Sequence, residues 1–161
     1  AAGAGIQAIV DGLTSMRAVT GRLEVRSAHA GARMIDDSYN ANPASLRAGL
    51  RALTSIPGRH WLVLGEMREL GPASAQLHAE MGEFARQTGV ARLLAVGDDA
   101  HHAVEAFGTG ATWFASVDDM IAALRAELGP DVTVLVKGSR SNRLERVSAA
   151  LASAAAAGTG H

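Results

Sequence analysis

The chain has 161 residues, 15 basic against 16 acidic side chains, 48% hydrophobic residues and no cysteine, the profile of a domain with an ordinary core and no disulfide framework. A formal net charge of −1 provides no field to collect phosphates, so nucleic acid and anionic membranes are not expected partners. No apolar run approaches the roughly 18 residues of a membrane span, and the start AAGAGIQAIVDGL lacks the basic and apolar regions of a signal peptide, so a cytoplasmic setting is expected.

Residues 1–20 read as a linker or the tail of a preceding unit. From Arg22 onward, short apolar runs alternate with stretches of helical period, which predicts an α/β domain over residues 21–155 with a mostly parallel sheet of about six strands. Strands are predicted at Arg22–Ser27, Arg33–Asp37, His60–Gly65, Arg92–Gly97, Thr112–Ala115 and Val132–Lys137. The runs LVL, LLAV and VTVLV suit strands covered on both faces. Helices are predicted at Pro43–Ser55, Ala73–Thr88, Ala100–Phe107, Val117–Leu128 and Asn142–Ala155. Asn42 with Pro43, and Ser116 or Asp118, supply helix starts; Gly89 and Gly129 supply stops. Residues 156–161 read as a frayed end.

Ligands of open α/β sheets gather beyond the carboxyl ends of the strands, and four loops there are chemically unusual. In Asp36-Asp37-Ser38-Tyr39-Asn40-Ala41-Asn42-Pro43, two carboxylates suited to ribose hydroxyls or a magnesium ion meet amides that can orient a polar substrate and a helix N-terminus that favours an anion. Capping accounts for Asn42 and Pro43 but leaves the acidic pair and Tyr39 without a purpose. Gly65-Glu66-Met67-Arg68-Glu69-Leu70-Gly71 brackets charge between glycines, equally readable as a site or a solvated loop. Val136-Lys137-Gly138-Ser139-Arg140-Ser141-Asn142 sets cations and hydroxyls around a glycine, as a carboxylate or phosphate requires. Its Lys137 is the one lysine among 15 cations, a compact ammonium where the background favours arginine.

The fourth loop, Gly97-Asp98-Asp99-Ala100-His101-His102, has metal-competent residue types, but adjacent histidines on a helix point about 100° apart. Helix capping by Asp98 or Asp99 with exposed histidines is expected there, and no metal ligand is assigned. His78 reads as a half-buried helical histidine rather than a base. Gly3-Ala4-Gly5-Ile6-Gln7-Ala8 follows no strand and is set aside as a dinucleotide motif; neither a P-loop nor a nucleophile elbow occurs. Two other classes stay open on these residues, a stand-alone nucleotide-binding or interaction module and a receiver-like signalling domain. The latter needs a phosphoacceptor Asp where this chain has Gly65-Glu66.

Taken in order, IDDSYNANPASLRAGLRAL, VLGEMRELG with His78 downstream, and VLVKGSRSNRLERV resemble the C-terminal domain of bacterial Mur ligases, and Gly21-Arg22-Leu23-Glu24 resembles the family's hinge into that domain. The nearest subgroup joins D-alanyl-D-alanine to UDP-N-acetylmuramoyl-tripeptide in peptidoglycan precursor synthesis. The resemblance implies a three-layer Rossmann-like domain with one antiparallel strand, working as a monomer in an ATP- and Mg2+-dependent ligase. There a central domain would hold most of the nucleotide and metal, and the tripeptide carboxylate would be phosphorylated before the dipeptide amine attacks. It assigns nucleotide contacts to Arg22, Asp37, Tyr39, Asn40 and Asn42, and contacts with the amino substrate to Asn40, Glu66, Arg68, Lys137, Ser139 and Arg140. It implies no catalysis by this piece alone, because the metal, the triphosphate cradle and the UDP-sugar site lie in domains this sequence lacks.

Overall fold

The computed structural model describes residues 24–38 and 41–152. The expected linker at 1–20, the frayed end at 156–161, and Arg22, Tyr39 and Asn40 lie outside the described residues.

Six strands form one sheet in the order β1-β2-β6-β3-β4-β5. They are β1 Glu24–Ser27, β2 Arg33–Asp37, β3 Arg59–Gly65, β4 Arg92–Val96, β5 Ala111–Phe114 and β6 Val132–Lys137. Among the described strands only β1, paired with β2, runs antiparallel, as the resemblance implies. Among the described residues, five α-helices intervene or follow: α1 Pro43–Thr54, α2 Ser74–Thr88, α3 Ala100–Phe107, α4 Val117–Glu127 and α5 Glu145–Leu151.

Side chains of a strand alternate between faces, and the buried sets separate accordingly. Leu62 and Leu64 of β3 join Leu46, Leu50, Met81 and Phe107 of α1 to α3, whereas Trp61 and Val63 join Met120, Leu124, Val147 and Leu151 of α4 and α5. Helices therefore cover both faces, which explains why the central strands read as continuous apolar runs. The helix after β6 packs on one face while those after its neighbours β2 and β3 pack on the other, so the winding reverses on both sides of β6, the kind of position where open α/β sheets gather ligands.

Local chemistry sets the boundaries. Asn42 caps α1, accepting from the Ser45 amide at 2.9 Å while the Ser45 hydroxyl accepts from the Asn42 amide at 3.1 Å, with Pro43 in the first turn. Ser116 caps α4, and Gly89 ends α2 in a left-handed conformation. Gly129 does not end α4: Leu128 has already turned extended, and the Gly129 carbonyl accepts from Val132 instead. The Asp99 side chain does not cap α3 either, because its carboxylate accepts the Ser74 hydroxyl at 2.6 Å. The last helix starts later than periodicity suggests. Residues 140–142 form a 3-10 turn, Arg143 takes a left-handed φ of 55°, and the α-helix begins at Glu145 and ends at Leu151. The Asn142 side-chain Nδ2 donates to the Glu66 carbonyl at 2.6 Å, and this tie to the β3 loop holds the chain away from helical geometry.

Candidate functional site

The β2–β6 seam ends in a buried ion pair. Asp37 and Lys137 are register partners on the two strands, and Lys137 Nζ lies 2.7 Å from Asp37 Oδ2, with the residues 3% and 1% exposed. The lysine stem passes α1 at Gly49, where an added Cβ would lie 3.8 Å from its Cδ. Expected to face a substrate anion, the Lys137 ammonium faces the Asp37 carboxylate. Strand alternation sends the neighbouring Asp36 the other way, where it accepts the Ser38 hydroxyl at 2.7 Å and lies 3.9 Å from the Arg26 guanidinium.

The β3–β6 seam closes without a buried charge. A Cβ on Gly65 would fall 2.8 Å from the Asn142 side chain, and one on Gly138 would fall 2.9 Å from the Gly65 Cα, so both glycines are required by close approach. The Ser139 amide donates to the Glu66 carbonyl at 3.4 Å, and the Ser139 hydroxyl accepts from the Arg68 amide at 2.8 Å. Behind the loop, His78 is fully buried rather than half-buried. Its Nε2 accepts from the Met67 amide at 2.9 Å while Nδ1 donates to the Ser74 carbonyl at 2.8 Å, which fixes the tautomer with the proton on Nδ1. From the other side, the Asp99 amide donates to Glu66 Oε1 at 2.9 Å.

These braces hold a strained segment. Glu69 has a φ of 63°, rare for a non-glycine residue and a recurring mark of functional loops. The loop from Glu66 to Gly71, with Ser74 and Asp99, borders an open cleft of about 240 Å³ carrying three carboxylates and the Arg68 guanidinium. Glu66, Arg68 and Ser139 thus meet at the β3 and β6 ends, Arg140 follows Ser139 in the chain, and Asp37 and Lys137 pair across the adjoining β2 and β6 ends. Arg140 is exposed, Ser139 is buried as a brace, and Asn42 is occupied as the α1 cap. The supporting roles of His78, Asp99 and Asn142 rest on partners 11, 33 and 76 positions away in sequence, which no local pattern signals.

The family model described as "Mur ligase, glutamate ligase domain" matches residues 21–140. The chain belongs to this Mur ligase family. The UDP-N-acetylmuramoyl-tripeptide–D-alanyl-D-alanine ligase of Escherichia coli K12 is 40% identical over 151 residues, covering 92% of this chain and 33% of that protein. The ligase of the same name from Mycobacterium tuberculosis H37Rv is 38% identical over 175 residues, with 92% and 34% covered. Among solved structures, MurF ligase from Thermotoga maritima in complex with ADP aligns with a TM-score of 0.73 at 28% identity, covering 82% of this chain and 30% of that one. MurF from Acinetobacter baumannii aligns at 0.71 and 31%, covering 81% and 30%. This Mur ligase domain spans about a third of the length of the curated relatives it matches. The membership removes the receiver reading. Among the described residues no helix is long and apolar enough to cross a membrane.

Proposed function

We propose that this domain is the C-terminal part of an ATP-dependent cytoplasmic ligase that joins D-alanyl-D-alanine to UDP-N-acetylmuramoyl-tripeptide during peptidoglycan precursor synthesis, acting as a monomer. The observation that carries the reading is the 40% identity, over 92% of the chain, to a relative bearing that name. The clustering of the strand-end loops at one edge of the sheet supports it. In this reaction the tripeptide carboxylate takes the γ-phosphoryl group and ADP leaves. The dipeptide amine then attacks the acyl carbon, phosphate leaves and the amine loses a proton.

Nucleotide contacts fall to Asp37 at the end of β2 and Asn42 before α1, and to Arg22, Tyr39 and Asn40 outside the described residues. The dipeptide carboxylate is received at the Lys137–Arg140 segment, where Arg140 lies at the exposed end and Lys137 acts by holding Asp37. Asn40, Glu66, Arg68 and Ser139 form the remaining wall. Magnesium supplies charge neutralisation of the triphosphate when bound. The described carboxylates at the β2 end do not fit a magnesium cage, since Asp37 is paired with Lys137 and Asp36 is engaged by Ser38, so no magnesium ligand is assigned there.

The test is a chimera carrying this chain in place of the C-terminal third of the Escherichia coli relative, assayed for phosphate release dependent on both ATP and D-alanyl-D-alanine. Dependence on the dipeptide is expected, and the 161-residue chain alone should turn nothing over. Arg140→Ala should raise the dipeptide KM about tenfold to a hundredfold, the equivalent of a lost charge-assisted contact of about 1.5–3 kcal/mol. Asp37→Asn should act on the ATP KM or on turnover, read after its melting curve has been compared with that of the parent. A chimera indifferent to the dipeptide, or robust turnover by the chain alone, overturns the reading in favour of another acceptor or a stand-alone module.

A further inference from the structure

On the outer face of α3, His101 and His102 converge on Glu105. One ligand atom from each of the three lies within 4.8 Å of the others. His101 Nε2 is 3.2 Å from Glu105 Oε1, and His102 Nδ1 is 4.0 Å from Glu105 Oε2. The imidazole centroids are 5.6 Å apart with an interplanar angle of 65°. The sequence set the histidines aside because neighbours on a helix diverge. Glu105, one turn further on, supplies the point toward which both can turn. The side chains are half to two-thirds open to solvent at His101 and Glu105, so an ion has direct access.

We propose that His101, His102 and Glu105 form a surface site for one divalent transition-metal ion of the zinc, nickel or copper type. Imidazole nitrogen suits these ions, and a carboxylate completes a three-ligand set that leaves the remaining positions to water. Metal–ligand bonds of about 2.0–2.2 Å place the donors of a tetrahedral shell roughly 3.3–3.5 Å apart, which small side-chain rotations reach from the observed separations. A helix-surface His–Glu pair explains one imidazole and gives no purpose to the second. The location also supplies a mechanical use. The eight-residue α3 lacks a side-chain cap, because the Asp99 carboxylate is taken by Ser74, and an ion bridging residues 101, 102 and 105 would clamp its first two turns. Those turns follow directly on Asp99, whose amide holds Glu66.

Trp113 provides a local probe. Its indole donates to the Gly97 carbonyl at 2.8 Å and packs edge-on to His101 with centroids 6.5 Å apart, whereas Trp61 is buried. The experiment titrates the untagged 161-residue chain with CuCl2, NiCl2, ZnCl2 and MgCl2, reading calorimetry and tryptophan emission. One zinc, nickel or copper ion should bind per chain, copper should quench saturably, and magnesium should do neither. Trp113→Phe should abolish most of the quenching and leave zinc binding intact. Removing even an indirect partner of a metal ligand commonly costs about 10–100-fold in affinity, so His102→Ala or Glu105→Gln, with unchanged circular dichroism, should weaken zinc at least about tenfold. Amide exchange within residues 101–107 should slow when zinc is added. No saturable binding of the three metals below about 1 mM overturns the proposal, as does an affinity that survives combined His102→Ala and Glu105→Gln.

Discussion

The two seams beside β6 close in opposite ways. Toward β2 the strand ends are joined by a buried charge pair, Lys137 with Asp37, whereas toward β3 they are joined by two glycines and a set of neutral hydrogen bonds through Ser139, Asn142 and His78. A buried pair is costly to desolvate and fails abruptly when one member is lost. The glycine seam distributes its holding over several contacts, each worth about 1 kcal/mol net. The first arrangement fixes one carboxylate rigidly beside a candidate nucleotide edge. The second positions a whole strained loop while leaving its outer charges open to solvent.

The largest effect should come from breaking the charge pair unilaterally. Lys137→Met strands a carboxylate that is 3% exposed and should cost about 3–5 kcal/mol in urea unfolding. Asp37→Leu combined with Lys137→Met should recover most of that loss. A single variant costing under about 1 kcal/mol would mean the pair is solvated. Next, Gly138→Ala forces a Cβ to within 2.6 Å of a Leu144 methyl and 2.9 Å of the Gly65 backbone, and should cost about 1–3 kcal/mol by overpacking. Its chemical-shift changes should concentrate in residues 65–70, and a change confined to residues 138–144 would separate the two loops.

His78→Leu leaves the Met67 amide buried without an acceptor, worth about 1–3 kcal/mol, and should accelerate exchange of that amide. His78→Gln, whose carbonyl can accept in place of Nε2, should restore part of the protection. Equal exchange in both variants would show that the histidine fills space and does not brace the loop. The smallest effect belongs to Asn42→Ala, which removes the α1 cap for about 1 kcal/mol. A larger nucleotide effect than stability effect in the chimera would show that Asn42 does more than cap.

Much of this arrangement is legible locally. β2 and β6 have their predicted ends because apolar residues give way to Asp36-Asp37 and to Lys137, and α1 starts where Asn42 and Pro43 require. The sequence also singles out both members of the ion pair, separately and for different reasons. Their pairing is invisible in it, since they lie 100 positions apart and only the sheet order makes them neighbours. The same holds for α5, whose late start is set by the Asn142–Glu66 bond rather than by helical period. Glu105 carries no local signal, since a lone exposed glutamate on a helix is unremarkable until the rings preceding it are placed in space.

The insertion of β6 between β2 and β3 sets a timetable for folding. Until residues 132–137 have left the ribosome, the β1–β2 hairpin and the β3–β4–β5 ribbon have no strand to join them, and both present an unpaired edge. Long-range parallel pairing of this kind is slow, and the open edges are places where one nascent chain can recruit another. Chains halted anywhere before Val132 should therefore aggregate rather than form a smaller stable core, and the commitment to fold falls late, when Lys137 reaches Asp37.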